Sequence, residues 1–132
     1  MNRLPFGIAI FGIAGAACLA PSIALGGQVS SLTVFVGNNP DGSGYFEGSL
    51  AAARYSPDSV ADIGCAVDAL GTPPVQCWAR SSGNQYGSCT TTSATAITAV
   101  SGLNAASGLL VAWDKTGTCT TIVVLNDSAL LH

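Results

Sequence analysis

Residues 65–89 read CAVDALGTPPVQCWARSSGNQYGSC, with cysteines at 65, 77 and 89 set around two clusters of turn residues. Whether these sulfurs are ligands, redox groups or staples decides the fold. Structural zinc sites usually bring their ligands as close C-x-x-C pairs, and this chain has none. A thioredoxin-type redox pair fails on the same absence. Gly71, Thr72, Pro73 and Pro74 form a turn between two short runs, so 62–68 and 75–80 read as the strands of a hairpin. Cys65 and Cys77 then sit symmetrically about Gly71 and can face each other across it, which would leave Cys89 for Cys119. Four cysteines allow three connectivities, and the sequence alone does not choose among them.

The surrounding chain supports an oxidising compartment. It opens MNRLPFGIAIFGIAGAACLAPSIALGG, with Arg3 as a short positive region, an apolar run to about Ala20, Pro21 as a breaker and small residues after it. That is the layout of a secretory signal peptide, with cleavage expected after Ala24, leaving 25–132 as a single small secreted domain. The run is interrupted by glycines and is near the lower limit for a membrane span, so no span is expected after processing. Cys18 in GAAC lacks the bulky aliphatic of a lipoprotein box, since Gly15 stands three places before it. The remaining Cys65, Cys77, Cys89 and Cys119 are an even set in an exported chain, the arithmetic of two disulfides. In the chain-entropy picture they contribute roughly 3 and 4 kcal/mol, a large share for a thin core.

Charge excludes one class of partner. The whole chain carries −3; losing Arg3 leaves three cations (Arg54, Arg80, Lys115) against seven acids, or −4. Three scattered cations cannot neutralise a run of phosphates, so nucleic-acid binding is not expected.

Periodicity gives the elements. In VSSLTVFV (29–36), Leu32, Val34 and Val36 alternate onto one face as in a half-buried strand. GNNPDGSG is turn chemistry. The spacing then predicts a strand over 45–54, a loop to 61 because Pro57 disfavours helix before it, and strands over 62–68, 75–80 and 86–90. In SATAITAVSGLN the period changes: Ala94, Ile97, Val100 and Leu103 recur every three residues, with Ser93 able to cap a helix. SGLLVAW and TCTTIVVL are apolar, β-branched runs joined by DKTG, a hairpin with glycine at the left-handed position. The expected fold is α+β: a small, mostly antiparallel sheet with one covering helix, stapled by two disulfides.

The pattern A-R-Y-S-P-D-S (53–59), I-G-C (63–65), C-W-A-R (77–80) and W-D-x-x-G-x-C (113–119) resembles an uncharacterised group of short exported bacterial proteins with paired cysteines. The resemblance covers roughly 48–128. It implies a bacterial extracytoplasmic domain and carries no activity or catalytic residue.

Most catalytic sets are missing. The one histidine is His132 at the chain end, no G-x-S-x-G or S-x-x-K occurs, and Lys115 lies in a turn, so nucleophile–base catalysis is not expected. Asp58, Asp62 and Asp68 are the nearest approach to a carboxylate pair; in SPDS, Asp58 reads as a turn cap. Asn39, Asp41, Ser43 and Gly44 mimic the start of an EF-hand loop, but its twelfth position, a glutamate in true sites, is Leu50. Neither catalytic residue, cofactor nor metal is expected. The sequon at 126–128 matters only in a eukaryotic secretory route.

The distinctive polar features are AARYS and CWARS, where Arg54 and Arg80 stand beside Tyr55 and Trp78. An arginine stacked on an aromatic can anchor a partner; the plainer alternative pairs Arg54 and Arg80 with surface acids such as Asp58 or Asp62, and puts Trp78 and Trp113 into packing. The sequence points to a secreted or periplasmic, non-enzymatic binding or structural module of the bacterial envelope or exterior. The partners open to such a module are another protein, a second copy of itself or a surface glycan, engaged through an aromatic patch or a sheet edge, for which VSSLTVFV and TCTTIVVL are the candidate edge strands. The alternative is a small secreted inhibitor or effector of an extracellular enzyme, presenting the braced loop DALGTPPVQ.

Overall fold

A computed structural model describes residues 32–126; the expected leader with Cys18, residues 29–31 of the first predicted strand, and 127–132 with His132 lie outside the described residues. The elements in chain order are β1 (Phe35–Asn38), β2 (Gly44–Ser49), α1 (Leu50–Arg54), β3 (Asp62–Val67), β4 (Val75–Arg80), β5 (Tyr86–Thr91), α2 (Ala94–Ser101), β6 (Ser107–Trp113) and β7 (Cys119–Asn126). The α+β class holds, but among the described residues the strands form two antiparallel sheets, β1-β2-β6-β7 and β3-β4-β5, accompanied by two helices where one sheet and one helix were expected. The edge strands expected from VSSLTVFV and TCTTIVVL are the two outermost strands of the first sheet. No helix among the described residues is long and apolar enough to cross a membrane.

The strand predicted over 45–54 ends at Ser49. There the Ser49 hydroxyl accepts the Ala52 N–H at 3.0 Å and starts α1, a local cap that turns the helix-favouring run LAAA away from the sheet. The first strand is also shorter than its alternation suggests. Leu32 still accepts the Ser49 N–H at 2.9 Å, and Val34 and Val36 are buried as expected. Ser93 stands at the N-cap of α2, yet its hydroxyl pairs with that of Thr95 at 2.7 Å and makes no capping bond. The inward side of that helix is the buried Val100 with the half-buried Ala96 and Ile97, and Leu103, just past its end, packs on the same core; Ala94, placed on the stripe by period alone, is exposed.

Both disulfides are formed. Cys65–Cys77 joins directly opposed residues of β3 and β4, Cα atoms 4.0 Å apart, and Cys89–Cys119 ties β5 of one sheet to β7 of the other across 30 residues of chain. Register carries Cys65, Cys77 and Cys89 in one row, and Cys77 and Cys89 are buried. The core between the sheets is otherwise Val34, Val36, Phe46, Ile63, Val75, Ala79, Val100, Leu109, Val111 and Trp113.

Trp113 sets the spacing of the two layers. Its ring lies 5.9 Å from that of Phe46, and its indole N–H donates to the Gly42 carbonyl at 3.1 Å. Space for it is made by missing side chains: a Cβ at Gly44 in β2 would come 2.5 Å from the indole, and one at Gly87 in β5 would come 2.4 Å from it. Gly87→Ala is therefore expected to lower unfolding free energy in urea by about 1–3 kcal/mol through overpacking. Gly83→Ala, whose Cβ meets only the Ser81 hydroxyl at 3.7 Å, is the control, with a change within about 0.5 kcal/mol.

Candidate functional site

Alternation along β3, β4 and β5 turns Ile63, Cys77 and Ala79 inward, so the intervening residues form the outer face of the three-stranded sheet. Two rows cross it: Asp62–Arg80–Tyr86, and Gly64–Trp78–Ser88. The guanidinium of Arg80 lies over the Tyr86 ring, 5.5 Å from its centroid, in cation–π range. Trp78 lies against Gly64, where an added Cβ would come 3.1 Å from the indole, and its ring N–H donates to the Asp62 carboxylate at 2.8 Å. Asp62 thus keeps one oxygen in a fixed bond while standing opposite a cation and an aromatic ring.

The turn from β4 to β5 builds this register. Asn84 N–H donates to the Ser81 carbonyl at 2.9 Å and Ser81 N–H to the Gln85 carbonyl at 2.9 Å, with Asn84 in the left-handed region at φ 60°. Asparagine tolerates that conformation better than most residues, and the turn sets Tyr86 directly across from Arg80. A shallow cleft of about 500 Å³ runs over this corner, lined by Ser59, Val60, Asp62, Arg80, Asn84 and Tyr86. A second, of about 320 Å³, lies between α1 and β3, with Arg54, Asp62 and Ala105 among its walls. Asp62 belongs to both.

The four residues singled out from the sequence are distributed unevenly. Arg54 and Arg80 reach the two clefts that share Asp62, and Trp78 bonds to Asp62. Tyr55 is the C-cap residue of α1, 69% exposed, and lines neither cleft. Arg54 lies on a helix, not on the expected strand, and the ring under Arg80 is Tyr86 rather than Trp78. Of the tryptophans expected in packing, Trp113 is buried in the core, while Trp78 is half-buried on the outer face. Tyr86 was missed because pairing it with Arg80 requires knowing the turn at Asn84.

The other aspartates among the described residues are occupied locally. Asp58 accepts the Val60 and Ala61 N–H groups at 2.9 and 2.6 Å and the Ser56 hydroxyl. Asp41 accepts the Ser43 N–H at 3.0 Å, Asp68 the Leu70 N–H at 3.0 Å, and Asp114 the Thr116 and Thr118 N–H groups at 2.8 and 3.1 Å. Among the described residues, no three His, Cys, Asp or Glu side chains gather as a metal site would require. Comparison of the chain with protein-family models, curated proteins and solved structures finds no match.

Hydrogen bonds hold three of these carboxyls below the ordinary 3.8: the Ser56 hydroxyl first for Asp58, the Ser43 hydroxyl for Asp41 and the Thr116 hydroxyl for Asp114. A carboxyl lowered in the folded state contributes stability above its unfolded value and loses it as pH falls through the folded one. Urea melts should therefore show this contribution constant from pH 7 to about 5 and declining below about 4. Asp58→Asn should make that acid decline shallower; an unchanged decline would remove Asp58 from it.

Proposed function

We propose that the chain is a secreted, non-enzymatic binding module of the bacterial envelope or exterior, engaging an extracellular partner through the outer face of the β3-β4-β5 sheet. The observation that carries this reading is Arg80 held over Tyr86 beside the Trp78–Asp62 bond, on paired strands rather than in a loop. A preset arginine and two amphipathic rings on one face are the side chains that dominate the energetics of protein interfaces. The two disulfides suit an oxidising compartment, where such a surface would be displayed.

The partner this face fits has a carboxylate or carbonyl for Arg80 and an apolar or aromatic group for the exposed faces of Tyr86 and Trp78. The test is quantitative recovery, after crosslinking in the exporting host, of partners bound to wild type and to Arg80→Ala/Tyr86→Ala. Recovery should fall about 10- to 100-fold for the double variant, with unchanged thermal unfolding. Equal recovery would remove the face from the interaction.

One observation favours a second reading, a secreted inhibitor. The hairpin loop between β3 and β4 is braced by Cys65–Cys77, closed by Asp68 N–H donating to the Pro74 carbonyl at 2.8 Å, and presents Leu70 at 96% exposure. Leu70→Asp distinguishes the two: it would abolish binding of a target by the loop and leave the sheet face unaffected.

A further inference from the structure

We infer that the outer edge of β7, beside α2, is a receptor groove for an extended, uncharged peptide strand from another chain. The groove has a definite construction. β5 pairs with the chain entering β7 for a single parallel bridge, Thr90 with Thr118, in which the Thr90 N–H donates to the Gly117 carbonyl at 3.0 Å. After Thr91 the chain turns away into α2, while β7 runs on for eight residues as the outermost strand of its sheet. Its ladder is with β6, and no hydrogen bond from another described element reaches the backbone of residues 120–126.

The helix that departs with the chain does not close the gap. A cleft of about 150 Å³ remains between Thr95, Ala96 and Ala99 of α2 and residues 119–122 of β7, with Thr91 and Ser93 also on its wall. An edge strand facing a helix across such a cleft can receive an added strand: main-chain bonds give affinity, and the helix supplies shallow contacts for alternate side chains.

The lining states the chemistry of the guest. Every residue on it is a threonine, serine, alanine, isoleucine or the bonded Cys119, so hydroxyls and methyls alternate with no charge and no aromatic ring. The space suits side chains of the size of Ala, Ser, Thr or Val. β7 itself, CTTIVVLN, lacks the charged residues and prolines that natural edges use to repel pairing. Bulky or charged guests would clash with Ala96 and Ala99 or lose hydration without a partner.

The test is selection from a random heptapeptide library displayed on phage against the folded protein. Selected peptides should be rich in Ser, Thr, Ala and Val and poor in charged residues. N-methylation at alternate backbone nitrogens of a selected peptide should weaken it at least 10-fold, because it removes ladder donors and leaves side chains unchanged. Ala96→Trp, which fills the cleft, should weaken the same peptide comparably while Arg80→Ala/Tyr86→Ala leaves it bound, keeping this site separate from the sheet face. Should Ala96→Trp fail to fold, bound peptide is expected to slow hydrogen exchange of the 120–124 amides in wild type. Failure to select any peptide, or selected peptides indifferent to N-methylation, would overturn the inference. So would sedimentation showing the edge already paired with a second copy.

Discussion

The cross-link between Cys89 and Cys119 is the constraint on which the other features depend. Among the described residues it is the one disulfide between the two sheets, and it stands next to the Thr90–Thr118 bridge, a backbone hydrogen-bond contact that also joins them. At the other end of β5, the Asn38 side-chain amide donates to the Tyr86 carbonyl at 3.2 Å. β5 is thus stitched to the larger sheet at both ends. Between the stitches the core is small, and Trp113 fits only because Gly44 and Gly87 leave room on either side of it. A chain of this size buries too little apolar surface for large excess stability, so removing loop entropy from the unfolded state matters more than in a larger domain.

Fixing β5 also fixes both of the surfaces proposed above to bind partners. Tyr86 lies at its first residue and takes Arg80 from β4, which the Asn84 turn holds in register. Thr91 lies at its last, where the chain leaves β7 and opens the cleft beside α2. One strand therefore carries the polar-aromatic face at one end and borders the neutral groove at the other. The two surfaces differ in chemistry, a cation over an aromatic ring against hydroxyls and methyls.

Local pattern made much of this readable. The β3–β4 hairpin follows from Gly-Thr-Pro-Pro between two alternating runs, and the β6–β7 hairpin from Asp-Lys-Thr-Gly, whose Gly117 adopts φ +78°. The two-residue period also identified Val34 and Val36 as buried. It could not show which inward faces meet, and so one sheet was expected where two face each other. α1 was hidden for a different reason: Tyr45 to Ser49 alternates as a strand should, and nothing in the period marks the point where the Ser49 hydroxyl captures the Ala52 N–H. At the candidate site Arg54, Trp78 and Arg80 were legible as unusual side chains in a sequence with few charges. Their grouping around Asp62 was not, because it arises from cross-strand register and from a left-handed asparagine.

Native-state hydrogen exchange on two paired variants tests the role of the seam most directly. With Cys89→Ala/Cys119→Ala, amides of β5, β6 and β7 should lose protection together, because both sheets are released from one another. With Cys65→Ala/Cys77→Ala, the loss should be confined to β3 and β4. Equal and local losses in both variants would contradict the claim that the Cys89–Cys119 seam holds the two layers as one unit.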